Sequence, residues 1–257
     1  MSVRVCVLGS GSRGNSTLIA TERTRLLVDA GFSKRETRAR LAAVGEPGDG
    51  FHAIVVSHEH SDHISGLTGL ALESAAPIYL TAATRQAVPW DKRLTRFELF
   101  AAGTKFVVGD IEITPFSVPH DAADPVAFTF ETQGIKIGLV TDLGHISELV
   151  KQRLLGCHCL IFESNHDLEM LKSGPYPWHV KQRVMSRQGH LSNLATGEFL
   201  SGDYDGQAAV LVLAHLSEHN NHPEIARLSA LKALRQRTQS AELHLASQSQ
   251  PTPVFQF

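Results

Sequence analysis

Ala53-Ile54-Val55-Val56-Ser57-His58-Glu59-His60-Ser61-Asp62-His63 runs from four apolar residues straight into a loop carrying three imidazoles and a carboxylate. The apolar half reads as a buried strand. His58, His60, Asp62 and His63 then fall within six residues. Imidazole and carboxylate are the usual ligands of zinc, manganese and iron. Crowding so many polar groups at the end of a buried strand is costly unless something satisfies them, and a metal ion does so.

Further polar residues stand at the exits of apolar strands. Asp29 closes Leu26-Leu27-Val28, and His120 follows Val118-Pro119. Asp142 closes Ile137-Gly138-Leu139-Val140-Thr141, and His215 closes Val210-Leu211-Val212-Leu213-Ala214. One Asp after a strand is as readily a turn cap as a functional group. Four such exits beside the histidine loop point to a site, because rigid strands position side chains that loops expose.

Around these points short strands alternate with helices. Strands are expected at 3–8, 17–20, 25–29, 53–57, 77–80, 105–108, 111–118, 126–132, 135–141, 159–163, 208–214 and 242–246. Helices are expected at 33–44, with Ser33 as N-cap and Gly45 as the stop, and at 65–74. Others are expected at 82–97 around Pro89, 146–154, 179–187, 192–201 with Ser192 as N-cap, and 223–237, before a ragged tail. Strands interleaved with helices over two similar halves indicate a layered α/β sandwich. No Gly/Ser- or Pro-rich linker separates the halves, so a single domain over 1–257 is expected.

Composition excludes more than it specifies. Hydrophobic residues make up 42% and charged residues 19% of the 257, which fits a folded globular chain and not a disordered one. A formal net charge of −2 provides no global basic field for nucleic acid. The one compositional hint of metal chemistry is the 14 histidines. Three cysteines, an odd number, suggest a reducing compartment without a disulfide framework. Cys157-His158-Cys159, flanked by Leu154-Leu155 and Leu160-Ile161-Phe162, reads as buried strand cysteines in preference to a metal fragment. The chain enters a strand pattern at once, without a signal peptide or a long apolar span, and a cytoplasmic protein is expected.

In order and spacing, Asp29, His58-x-His60-x-Asp62-His63, His120, Asp142 and His215 resemble the five motifs of the metallo-β-lactamase fold. The resemblance spans almost the whole chain. It implies an αββα sandwich, with two mixed sheets packed face to face, helices outside, and two divalent metal ions, zinc or manganese. It further implies that His58, His60 and His120 hold one ion, that Asp62, His63 and His215 hold the other, and that Asp142 bridges them. Asp29 would support the histidine loop from behind. Glu59 is a non-ligand position there, expected in solvent.

Later segments narrow the resemblance. They are Glu163-Ser164-Asn165-His166-Asp167, Gly174-Pro175-Tyr176-Pro177, Gly189-His190-Leu191-Ser192-Asn193 and His215-Leu216-Ser217-Glu218-His219-Asn220-Asn221-His222-Pro223. Together they are similar to the YycJ/WalJ-type branch, related to phosphodiesterases and to tRNA 3′-processing nucleases. That likeness implies 5′-to-3′ exonuclease activity on DNA. Asp62 and Asp142 would be catalytic as ligands of the ions that activate water, and His190 would be the general acid that protonates the leaving oxygen. The nuclease motif carries an acidic residue after this histidine, where this chain has Leu191.

The substrate would need cations. Lys172 to Gly197 contains no Asp or Glu but does contain Lys172, Lys181, Arg183, Arg187, Tyr176 and Trp178. Basic and aromatic residues together suit single-stranded or 5′-ended DNA; a solvated helix face is the competing explanation. The Gly9–Ser16 loop could cradle a phosphate. Candidate substrate contacts are Ser12, Asn15, Asn165, Lys181 and Arg183. Alternatives are a thioester or lactone hydrolase of the glyoxalase type, a small cyclic-nucleotide or nucleotide phosphodiesterase, and a non-enzymatic nucleic-acid-binding protein.

Overall fold

The computed structural model describes residues 2–235 and 241–257. Its contacts group the chain into two compact units. Unit 1 comprises Met1–Ser117, Ala122–Ile135 and Ser247–Phe257, and unit 2 comprises Val118–Asp121 and Lys136–Ala246.

Unit 1 opens with β1 (Arg4–Gly9), β2 (Ser16–Ala20), β3 (Arg25–Val28) and α1 (Lys34–Ala43). Next come β4 (Ala53–Val55), α2 (Ser61–Ile64), α3 (Leu67–Ser74), β5 (Ile78–Thr81) and α4 (Ala82–Ala87). β6 (Phe97–Phe100), β7 (Phe106–Val108), β8 (Ile111–Ser117) and β9 (Val126–Thr132) follow. β10 (Ile135–Val140) leads into unit 2, with α5 (Glu148–Leu154), β11 (Cys159–Glu163), α6 (Leu168–Ser173) and α7 (Trp178–Val184). α8 (Asn193–Gly202), β12 (Val210–Ala214), α9 (Pro223–Leu234) and β13 (Glu242–Leu245) complete that unit, and β14 (Phe255–Gln256) returns to the first.

Among the described residues the strands form two seven-stranded sheets, ordered β14-β1-β2-β3-β4-β5-β6 and β13-β12-β11-β10-β9-β8-β7. Both are mixed. β1, β2 and β3 pair antiparallel whereas β3 to β6 pair parallel. β7, β8 and β9 pair antiparallel whereas β10 to β13 pair parallel. Strands buried on both faces need continuous apolar runs, and Leu26-Leu27-Val28, Ala53-Ile54-Val55 and Val210–Ala214 supply them. Within unit 1 strands of the two sheets meet through rings. Phe106 stacks on Tyr79 at 5.0 Å and on Phe100 at 5.1 Å, and Phe100 meets Phe128 edge-on at 6.0 Å.

Local signals set several boundaries. Ser33 Oγ accepts from Glu36 N, and Gly45 takes φ +74° just beyond α1. Ser192 Oγ caps α8 through Ala195 N at 3.1 Å. Cys6, Cys157 and Cys159 are buried thiols. Among the described residues no helix is long and apolar enough to cross a membrane.

Three expectations need correction. The helix expected over 82–97 is only α4, because Val88 precedes Pro89 and is driven to extended backbone, φ −123° and ψ 136°. Phe97–Phe100 is then a strand. α6 adds a helix to the expected set, capped by Asp167, which accepts from Glu169 N and Met170 N. The tail is ordered: β14 pairs with β1, and Thr252 N donates to Val7 O at 2.9 Å while Thr252 Oγ1 accepts from Val7 N at 3.1 Å. The last residues of the helix expected to 237 lie outside the described residues.

Candidate metal centre

In unit 1 the loop after β4 is held from behind by Asp29. That residue sits at the exit of β3 in the left-handed region, φ +57°, which non-glycine residues seldom adopt. Its N–H donates to Val55 O at 2.8 Å, so the turn is tied to β4. Asp29 Oδ1 accepts from Ser57 N at 2.8 Å, and Oδ2 accepts from His63 Nδ1 at 2.8 Å. Ser57 Oγ also reaches this carboxylate, 2.9 Å from Oδ2.

Those bonds determine which imidazole nitrogens hold lone pairs. A carboxylate only accepts, so His63 Nδ1 carries its hydrogen and Nε2 holds the lone pair. The single hydroxyl hydrogen of Ser57 goes to Asp29. At 3.0 Å Ser57 Oγ therefore accepts from His58 Nδ1, which puts the lone pair of His58 on Nε2 in the same way. His58 and His63 are buried with ring centroids 4.1 Å apart, and His60 lies 4.6 Å from His58. Asp62 belongs to α2, which starts immediately after His60. Glycine allows the loops to close on one another: a Cβ at Gly31 would strike the Asp62 carbonyl. Glu59 corrects an expectation, because it is half-buried and its Oε1 accepts from Ala123 N at 2.7 Å.

In unit 2 the polar residues stand at the carboxyl ends of adjacent parallel strands. Asp142 follows β10, Glu163 ends β11 and His215 follows β12. Such strand ends are where open α/β sheets place ligands. Asp142 and His215 are left-handed, φ +59° and +56°, as Asp29 is. Asn165 Nδ2 donates to the His215 carbonyl at 2.8 Å and supports that turn. His120 Nδ1 lies 3.1 Å from Gly189 O, a pure acceptor, so its hydrogen is on Nδ1. Burial lowers the His120 pKa, favouring the neutral imidazole that can ligate.

Glu163 organises this group. It is fully buried, and Oε1 faces His190 Nδ1 at 2.9 Å and His215 Nδ1 at 2.8 Å. Oε2 accepts from Leu143 N at 3.1 Å and Leu191 N at 3.0 Å. Burial pushes this carboxyl up, but the charge of His190 and the hydrogen bonds from His190 and His215 outweigh it, holding the group at about 2. Asp142 Oδ1 lies 3.2 Å from His215 Nδ1 and 3.8 Å from His190 Nδ1. One ligand atom each from Asp142, Glu163, His190 and His215 lies within 4.8 Å of the others.

Glu163 stands within a family-like segment, but sequence reasoning gave it no role. The signal is present: a carboxylate closes the apolar run Leu160-Ile161-Phe162, as Asp142 and His215 close theirs. The expected substrate contacts are placed variously. Ser12 is exposed, while Asn15 and Asn165 are buried within hydrogen-bond networks. Lys181 is buried and donates to Lys172 O at 2.7 Å. Arg183 pairs with Asp121, and Lys172 pairs with Glu169 at 2.8 Å. The acid-free stretch is therefore partly neutralised by carboxylates from outside it. Trp178 is exposed.

The donors suit a divalent ion. Each of His58, His63, His120 and His215 commits Nδ1 to a protein acceptor and keeps Nε2 as the ligating atom, the arrangement typical of metal-bound histidines. Imidazole with carboxylate fits zinc or manganese.

Known proteins resemble this chain in sequence and in fold. Residues 24–216 match the family model for the Beta-lactamase superfamily domain. The chain is 36% identical over 265 residues to exodeoxyribonuclease YycJ of Bacillus anthracis, covering 99% of each. It is 35% identical over 235 residues to exodeoxyribonuclease WalJ of Streptococcus pneumoniae serotype 2, covering 90% of this chain and 87% of that one. Among solved structures, the metallo-β-lactamase fold protein YhfI of Bacillus subtilis matches with a TM-score of 0.74 at 20% identity, covering 97% of this chain and 99% of that one. The fold class read from the sequence is the fold this likeness shows.

Proposed function

Because the chain belongs to the β-lactamase superfamily, in the family of the exodeoxyribonucleases YycJ and WalJ, we propose that it is a metal-dependent phosphodiesterase that degrades DNA from an end. His58, His60, Asp62, His63, His120, Asp142 and His215 would hold two divalent ions, zinc or manganese. Bound there, such ions supply charge neutralisation for the phosphate and activation of water at neutral pH.

The contribution of His190 is a proton. A deoxyribose oxygen leaves poorly as an alkoxide, so an acid positioned beside it accelerates the break. The observation that carries this assignment is the 2.9 Å contact between Glu163 Oε1 and His190 Nδ1. It orients the ring, leaves Nε2 as the proton-delivering atom, and stabilises the imidazolium before transfer. His190 is partly exposed, as a donor to substrate must be, while Glu163 is fully buried. Glu163 is thereby a positioning residue, and Asp29 has the same relation to His63. We assign 5′-to-3′ polarity and a preference for single-stranded or 5′-ended DNA on the likeness to the YycJ/WalJ branch.

The test is incubation of purified protein with 5′- and 3′-labelled single- and double-stranded DNA in Mn²⁺ or Zn²⁺, beside His60→Ala. Metal-dependent shortening from the 5′ end, absent in the variant, is expected. Intact DNA in both metals, with hydrolysis of a thioester instead, would overturn the assignment.

A further inference from the structure

We infer that Asn15 is a positioning residue for the metal position served by Asp62 and His63. Resting on the metal-centre reading above, this gives Asn15 a different task from contact with substrate.

The orientation of its amide follows from its neighbours. Asn15 is buried, and Oδ1 accepts from Gly11 N at 3.0 Å and from Ser10 Oγ at 2.8 Å. A backbone N–H can only donate, so the atom facing Gly11 N is the oxygen. The amide nitrogen therefore points the other way. It lies 3.0 Å from Asp62 Oδ2, 3.1 Å from His63 Nε2 and 3.1 Å from Gly11 O.

Two of those partners need a positive neighbour. His63 has given its Nδ1 hydrogen to Asp29, so Nε2 presents a lone pair. Asp62 Oδ2 presents another only 3.4 Å away. Lone pairs facing at that distance repel unless a hydrogen or a cation lies near both. Asn15 supplies the hydrogens. When a cation takes His63 Nε2, one N–H of Asn15 can stay on Asp62 Oδ2 and fix which carboxylate oxygen faces the ion.

The frame around Asn15 is built to hold it. Asn15 N donates to Asp62 O at 2.7 Å, and Gly31 N donates to Asn15 O at 3.0 Å. From the chain end, Gln248 Oε1 accepts from Arg13 N at 2.8 Å and Gln248 Nε2 donates to Gly14 O at 3.1 Å. The ordered tail therefore backs the Gly/Ser loop, and the loop backs the ligands through Asn15.

The test is a calorimetric titration of chelator-stripped protein with Mn²⁺, comparing the parent, Asn15→Ala, Asn15→Ser and His60→Ala. Ser keeps a small polar group but is too short to reach Asp62, and the unfolding temperature of each stripped variant reports whether it folds. Outer partners of metal ligands typically contribute 10–100-fold in affinity. Both Asn15 variants should weaken one class of bound Mn²⁺ by about 10–100-fold. They should spare the class that His60→Ala removes, and the stripped variants should still unfold cooperatively, at a lowered temperature because Gly11 N loses its acceptor. Parental affinity for every equivalent, or equal loss of all equivalents in a folded variant, would overturn the inference. A parent that binds no Mn²⁺ would overturn the metal reading itself.

Discussion

His190 Nδ1 lies 2.9 Å from Oε1 of Glu163, a carboxylate closed off from solvent and held by four hydrogen-bonding neighbours. A buried carboxylate so satisfied stays ionised and holds a donor imidazole in one orientation. His190→Ala should therefore lower kcat on DNA by about 10²–10⁴-fold, with KM changed far less. A thioester, which has a good leaving group, should not respond. Steady-state kinetics on both substrates check this.

Glu163→Gln should act on both chemistry and stability. One face of the carboxylate meets two imidazole N–H groups, and the other meets two backbone N–H groups. An amide nitrogen must oppose one of those pairs. Leaving buried donors unsatisfied typically costs about 1–3 kcal/mol. A lower urea midpoint with an unchanged slope is the expected signature, together with reduced kcat.

Asp29→Asn should separate charge from backbone. Asn tolerates the left-handed region, so the φ +57° turn can persist. The anionic acceptor for His63 Nδ1 is lost, and metal affinity should fall about 10–100-fold. Metal content after dialysis measures it. Asp29→Ala should do worse in thermal unfolding, since it adds backbone strain.

The cysteines should be inert in the folded protein. Burial pushes the Cys6 thiol up to about 11, and burial also raises Cys159. Because the thiolate is the reactive form, raising the pKa suppresses alkylation below it; at pH 8 roughly one Cys6 in a thousand would be thiolate. Iodoacetamide at pH 8 should modify none of the three until urea unfolds the chain.

The tail should matter more than its composition suggests. Thr252 is buried and satisfies Val7 N through Oγ1 at 3.1 Å. Thr252→Val keeps the shape and orphans that N–H, so a loss of about 1–3 kcal/mol in chemical denaturation is expected.

Local patterns carried the strands and the histidine loop. The run Ala53-Ile54-Val55-Val56 is contiguous and apolar, and the ligands follow it at once, so β4 and its loop read together. The caps at Ser33 and Ser192 were legible because a cap is a bond within three residues. What escaped depends on distant partners. Glu163 looks like an ordinary strand end until His190 and His215, 27 and 52 residues away, converge on it. Arg183 looks like a free cation until Asp121 pairs with it from 62 residues away. The Ser- and Gln-rich tail reads as ragged because its partners, Val7, Arg13 and Gly14, lie at the other end of the chain.

The most direct test of metal-dependent DNA cleavage follows the products from 5′-labelled single-stranded DNA over time, with Mn²⁺ and with excess chelator, for the parent and His60→Ala. Labelled mononucleotide should appear first, only with metal and only with the parent. Full-length DNA persisting in the parent with metal, or equal cleavage by His60→Ala, would contradict the account.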